Sequence, residues 1–311
     1  MKTSFDGQDF PIPARLNLSI LAVQLVTLPS LLWLAGKVER GWELVALAVG
    51  YAVAMNSAYA LLHEAEHNLF HPHRKINQIA GVLLALFFPA PFHLLRQGHL
   101  GHHMRNRSDD EAFDFYFEGE NPIWKHLQFY GILTGFFWMI IALGNVPALL
   151  KPSLLEPKYA SFDRPTVAFL ASLNPKFCRL IRIEALLVFL LHGSLVWFGN
   201  IPVGNYLAVL FGFGFSWSAM QYVHHFGTAR DVEKGARNLR TFGWLDALWL
   251  NHNWHLNHHV NPTVPWIYLP GLFSGEEFER GNLFWAYVKM WRGPRFNVER
   301  VENIYAGAII R

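Results

Sequence analysis

The chain has 311 residues, 52% of them hydrophobic and only 16% charged, against about 25% charged in a typical soluble domain. With a positive mean hydropathy, this composition argues for a membrane protein, and a formal charge of only +3 suits loops beside anionic lipid better than nucleic-acid binding. Cys178 is the single cysteine, which excludes an intrachain disulfide and any cysteine-held metal or iron–sulfur site.

Met1–Arg15 carries charges of both signs and two prolines, without a signal-peptide pattern. Leu16–Gly36 is predominantly apolar and close to the ~20 residues that a bilayer requires. After the charged turn Lys37–Gly41, Trp42–Leu62 reads as a second span and ends on His63-Glu64-Ala65-Glu66-His67. Ile79–Leu95 is shorter and holds Pro89 and Pro91, costly inside a helix, so it reads as an interfacial or re-entrant piece. It leads to His99-Leu-Gly-His102-His103 and a polar loop through Asp114.

Leu127–Leu150 has the hydropathy of a span but carries Gly131, Gly135, Gly144 and Pro147. Leu180–Phe198 and Val203–Val223 read as two further spans, the second ending at His224-His225. Arg230–Arg240 is polar and basic, Trp244–His259 reads as a helix ending in His255-Leu-Asn-His258-His259, and Phe284–Trp291 is an aromatic stretch suited to the headgroup layer. If all the histidine clusters meet, they share one side of the membrane. The segment between His103 and Leu180 then crosses an even number of times, and 127–150 is too short to cross twice. We therefore expect a bent, non-crossing helix there. The basic bias of Lys151, Lys158, Arg164, Lys176, Arg179 and Arg182 marks the cytoplasmic side. The expected fold is one all-α integral membrane domain over 1–311. It has four transmembrane helices in two hairpins (16–36, 42–62, 180–198, 203–223), non-crossing helices at 79–95 and 127–150, and a histidine-rich cytoplasmic cap that includes 226–311.

His63 and His67 are four apart, hence on one helix face. The two later clusters share the spacing i, i+3, i+4, which puts two imidazoles on one face and turns the third aside, a geometry able to serve two neighbouring metals. His63, His67, His99, His102, His103, His255, His258 and His259, with one of His224/His225 (His225 preferred), make nine nitrogen donors. One zinc needs about four ligands; nine imidazoles suit two five- or six-coordinate irons, although imidazole also serves Zn, Cu and Ni. His71 continues the spacing from His67 but precedes Pro72, and His252 precedes the third cluster, so both stand as weaker candidates beside His224. His73, His93, His126 and His192 read as ordinary surface or core histidines. Among Glu64, Asp109, Asp110, Glu111 and Asp114, any carboxylate could orient an imidazole or simply be solvated. Glu64, Asp110, Asn253 and Gln221, one turn before His225, are the chosen candidates for supporting the ligands. Asn56 serves the site or helix packing.

The boxes His63-Glu-Ala-Glu-His67, His99-Leu-Gly-His102-His103 and His255-Leu-Asn-His258-His259 resemble, in order and over about 16–270, those of the membrane fatty acid desaturase–hydroxylase superfamily. The resemblance implies a non-haem diiron centre using O₂ as co-substrate beneath a membrane-embedded lipid tunnel, and four crossings. An additional metal-binding histidine known in related enzymes matches the position of His224 or His225. Electrons must then come from a separate ferredoxin, rubredoxin or cytochrome b5 type protein, for which Arg230–Arg240 is a candidate dock or, equally, a headgroup strip. The expected activity is oxidation of an unactivated C–H bond of a fatty-acyl or other lipid chain. The alternatives on the same scaffold are decarboxylation to a terminal 1-alkene, hydroxylation and carotenoid ketolation. Residues 251–259 and the Arg-Asp pair after His225 look closer to bacterial acyl-chain enzymes, implying a bacterial inner membrane. From other classes, His63-Glu64-Ala-Glu-His67 also spells the zincin H-E-x-x-H, with Glu64 as general base, and a metal transporter or bis-histidine haem protein would also use buried imidazoles.

Overall fold

The computed structural model describes residues 4–5, 8–272 and 275–310. Among these, the chain runs α1 (Ala14–Leu34), α2 (Gly41–Glu66), α3 (Arg74–Phe87), α4 (Phe92–Arg105), α5 (Pro122–Leu133), α6 (Phe136–Leu143), α7 (Asn145–Leu150), α8 (Arg164–Ser172), α9 (Cys178–Gly199), α10 (Val203–Val223), α11 (Gly243–Leu248), α12 (His255–Val260) and α13 (Leu283–Met290). Sheet among these residues is limited to three two-residue pairings, one antiparallel near the N-terminus and two parallel ones that tie 115–116 to 295–296 and 239–240 to 281–282. The expectations for Met1–Thr3 and Arg311 lie outside the described residues.

Three helices are long and apolar enough to cross a membrane: α1, α2 and Pro175–Gly199. The count rises to five if each of two bent pairs is taken as a span. The stretch expected as a span at 203–223 is α10, as long as α1 at 21 residues but not among those three helices. Asn205, Ser216, Ser218 and Gln221 dilute its hydropathy. Its apolar side chains Val209, Phe213 and Trp217 are buried against its neighbours, so α10 behaves as the inner helix of the set. The α1–α2 and α9–α10 turns lie together at one end, where Asn205 Nδ2 donates to the Ala35 carbonyl (3.1 Å). At the opposite end the Asn17 amide bonds Phe70 O (2.9 Å) and Trp266 Nε1 (3.0 Å). That end carries every histidine cluster.

The stretch expected as one piece at 79–95 is two helices, α3 and α4, bent by 98° across Phe88–Pro91. Pro89 and Pro91 lack the N–H groups that would continue α3. The 127–150 stretch also bends, by 88° between α5 and α6–α7. Gly135 makes that corner with φ of 92°, and a side chain there would press on Phe211 and the Phe215 backbone at 3.0 Å. The single helix expected over 244–259 is instead α11 and α12, separated by a turn in which Leu250 and Asn251 take positive φ. Asp246 makes the break: its carbonyl accepts Asn251 N–H (2.9 Å) and its carboxylate accepts the Asn253 amide (2.7 Å).

Candidate metal centre

The first pair of histidines sits where α2 ends. His67 is the last residue in a helical conformation, and Asn68 follows at φ 61°. Asn68 N–H bonds Ala65 O (3.1 Å) and Leu69 N–H bonds Glu64 O (2.7 Å), the two closing bonds of a Schellman turn. The turn keeps His67 one helical turn from His63, with ring centroids 5.0 Å apart, and sends the chain away. His71 therefore leaves the series: its Nδ1 accepts His73 N–H (2.9 Å), and it belongs to neither donor group described below.

Nine imidazoles converge in two adjoining groups: His63, His67, His99, His103 and His258, and then His102, His225, His255 and His259. Within each group one nitrogen per ring lies within 4.8 Å of all the others. Each i, i+4 pair stays together, and in α4 and α12 the i+3 histidine crosses to the other group. The boxes on these two helices thus face each other in opposite sense, each giving a pair to one group and a single ring to the other.

The innermost Nε2 atoms stand close: His67 to His99 2.7 Å, His103 to His99 3.1 Å and His258 to His103 2.9 Å in the first group. In the second, His225 to His255 is 3.0 Å, and His259 is 3.2 Å from both His102 and His255. Burial, and then the neighbouring imidazoles, hold His255, His258 and His259 well below the usual histidine range. Burial and His102 do the same for His225. These rings are neutral at neutral pH, each with one N–H and one bare nitrogen. His225 Nδ1 faces the Gly235 carbonyl (2.9 Å) and His102 Nδ1 faces the Glu111 carboxylate (2.8 Å). Both partners only accept, so the neutral His225 ring carries its proton on Nδ1 and aims a bare Nε2 at the Nε2 of His255. His63 Nε2 is buried without a hydrogen-bond partner among the described residues. Facing lone pairs repel unless a cation lies among them. Nitrogens about 2.1 Å from one ion and at right angles stand about 3 Å apart, so both groups fit a metal ion.

The weaker candidates fall outside. His224 is buried, donates Nδ1–H to Arg237 O (3.0 Å), and lies tilted against His255 with ring centroids 4.7 Å apart. His252 packs edge-on against His63 (4.7 Å) and Tyr59 (5.7 Å). Of the supporting residues expected, Asp110 is engaged by Arg164 (2.7 Å) and Asn303 (2.9 Å) and touches no donor. Its neighbour Glu111 does. Glu64 accepts Trp266 N–H (3.1 Å), with its other oxygen 4.0 Å from His63 Nδ1. Gln221 points back to its own helix at Trp217 O (3.5 Å). Asn253 holds the turn before α12 through Leu239 O and Asp246 rather than meeting a ring. Asn56 bonds Ser216 (2.8 Å), joining α2 to α10. Of the histidines read as ordinary, His93 pairs with Glu184 of α9 (2.6 Å) and His192 with Tyr206 (2.7 Å).

Asn238 escapes a reading from sequence. Its Oδ1 accepts Leu256 N–H (3.0 Å) and Asn257 N–H (3.3 Å), capping α12 from a distant loop. Its only sign in the sequence is an amide within a basic stretch. Two arginines of that stretch are engaged within the molecule. Arg230 is bound to Asp109 (2.5 Å) and to Arg107 O (3.1 Å), and Arg237 bonds Phe226 O. Next to them, left-handed Arg107 is fully buried, clamped to Asp114 (2.5 Å) and Tyr222 (2.6 Å), which joins the loop after α4 to the end of α10.

An apolar helical set with histidine donors gathered at one end defines the class: an integral-membrane protein with a two-part imidazole centre able to hold metal. The model of the fatty acid desaturase family matches residues 40–289, and the chain belongs to that family. It is therefore an oxidoreductase of a membrane lipid-modifying family known to use a pair of irons. No curated protein matches the chain.

Proposed function

We propose that this protein is an O₂-dependent diiron enzyme that oxidises an unactivated C–H bond of a fatty-acyl or similar lipid chain, in the manner of a desaturase. The observation that carries the proposal is the division of nine converging imidazoles into adjoining groups of five and four. Histidines 63, 67, 99, 103 and 258 would hold one iron, and histidines 102, 225, 255 and 259 the other. When bound, such a pair supplies O₂ reduction and removal of hydrogen from the chain. The residues around it supply shape and dryness. Tyr59, Phe88 and Trp217 form an aromatic layer, with Tyr59 against His252 and Phe88 5.6 Å from Phe213. That layer would exclude water and present the acyl chain to the five-histidine side. Electrons come from a separate protein, and the four long helices cross the membrane with both termini and the centre in the cytoplasm.

A zincin would need only one donor beyond His63 and His67, and a carboxylate free to act on water. Here Glu64 accepts a backbone N–H, and three more imidazoles share the group with that pair, which favours the diiron reading. Mass spectrometry of lipids and headspace volatiles from cells expressing the protein or its His258→Ala variant tests it. The expected product is an unsaturated chain seen only with the unaltered protein; a hydroxylated chain or a terminal alkene would redirect the reaction type. One zinc per chain in active, purified protein would overturn the proposal.

A further inference from the structure

The two donor groups differ in what stands behind their rings. Among the described residues, the carboxylate nearest a ring of the five-histidine group, Glu64, is 4.0 Å from His63 Nδ1, beyond hydrogen-bond reach. In the four-histidine group Glu111 Oε1 is 2.8 Å from His102 Nδ1. The second oxygen of Glu111 faces Arg105 Nε at 3.4 Å, and Arg105 in turn donates to Ser172 Oγ (3.2 Å). His102 and Arg105 are one turn apart on α4, so a single helix presents both partners of this carboxylate. Gly101 makes room for the arrangement: a Cβ there would stand 2.6 Å from Arg105 Nη1. The side chains of Arg105 and Glu111 are only 7% and 16% exposed, so their charges are weakly screened.

A carboxylate that accepts the outer N–H of a ligand imidazole fixes its tautomer and raises the basicity of the inner nitrogen. The Gly235 carbonyl behind His225 gives orientation without a full charge. We propose that Glu111, braced by Arg105, is a positioning residue that makes the four-histidine group the more electron-rich of the two metal sites. The inference rests on the diiron reading above. An iron held there favours its oxidised state more than its neighbour does, so the pair is unequal before any substrate binds.

The test uses the full chain loaded with ⁵⁷Fe, comparing wild type with Glu111→Gln, Glu111→Ala and Asp110→Asn. Iron per chain, Mössbauer spectrum and redox titration are read for each, with circular dichroism to check folding. Wild type is expected to hold two irons in two distinct environments. Glu111→Gln, whose amide oxygen still accepts the His102 N–H, keeps both irons but raises the potential of one and draws the two signals together. Glu111→Ala also weakens one of the two irons by about 10–100-fold. Asp110→Asn changes none of these readings. If Glu111→Gln matches wild type in spectrum and potential, or shifts both irons equally, the inference is overturned while the diiron reading stands. If folded wild type holds no iron pair, the diiron reading falls and the inference with it.

Discussion

His224 and His225 are neighbours in sequence with opposite fates, because a helix ends between them and the loop that follows. Both give Nδ1–H to backbone carbonyls, of Arg237 and Gly235 respectively. Only His225 then aims its bare Nε2 into a donor group. His224 keeps a buried Nε2 without a partner beside His255, whose outward Nδ1 is likewise unpartnered among the described residues. We expect His225→Ala to lose about one of two metal equivalents and His224→Ala to retain both, as read by metal analysis of purified protein. Loss of metal from His224→Ala would make it a tenth donor. Burial also pushes His224 down to about 3, below the value of about 6.5 for an unfolded chain. The unfolded state therefore binds more protons, and metal-free stability falls as pH drops from about 6.5 towards 3, by up to about 1.4 kcal/mol per pH unit for this residue. Thermal melts of metal-free protein between pH 7 and 5 check the sign.

At the scale of elements, short helices carry the chemistry, and turns place them. α12 has six residues, too few to persist without tertiary support, and it begins where the Asn238 side chain receives two of its free N–H groups. Asn238→Ala leaves those donors buried and unpaired. The expected cost is about 1–3 kcal/mol, visible as a lowered melting temperature, and a smaller metal content follows because His255, His258 and His259 all ride on this helix. An unchanged melting temperature would show that another group caps α12. The turn after α2 works on the same principle: Asn68 tolerates the left-handed conformation that ends the helix, so the box stops at His67.

For the whole molecule, the convergence of all three boxes at one end of α1, α2, α9 and α10 makes the membrane topology testable. Proposed four-crossing topology puts the α9–α10 turn outside the cell and the C-terminal segment inside. In a Cys178→Ser background, an impermeant maleimide added to intact cells should label Val203→Cys and spare Val298→Cys; both native side chains are exposed. Labelling of both, or of the second alone, would reject that arrangement. The ion pairs Asp109–Arg230 (2.5 Å) and Asp109–Arg300 (2.8 Å) fasten the loop after α10 and the C-terminal segment, respectively, to the loop after α4. They also remove Arg230 from any docking surface for an electron carrier.

Spacing along the chain determined much of this protein by itself. An i, i+3, i+4 pattern on a helix must split its imidazoles between two directions, and His99, His102 and His103, like His255, His258 and His259, do so. Apolar length marked α1, α2 and α9, and proline marked the bend before α4. Tertiary structure alone decided which i+3 ring joins which group, since that depends on how α4 and α12 face each other. It also decided that Glu111 rather than Asp110 reaches a ring: adjacent residues in a loop point different ways, and only the positions of Arg105, Arg164 and Asn303 choose between them. The break inside 244–259 and the distant cap at Asn238 were illegible for the same physical reason. Both are made by hydrogen bonds to residues whose proximity exists only after the chain has folded.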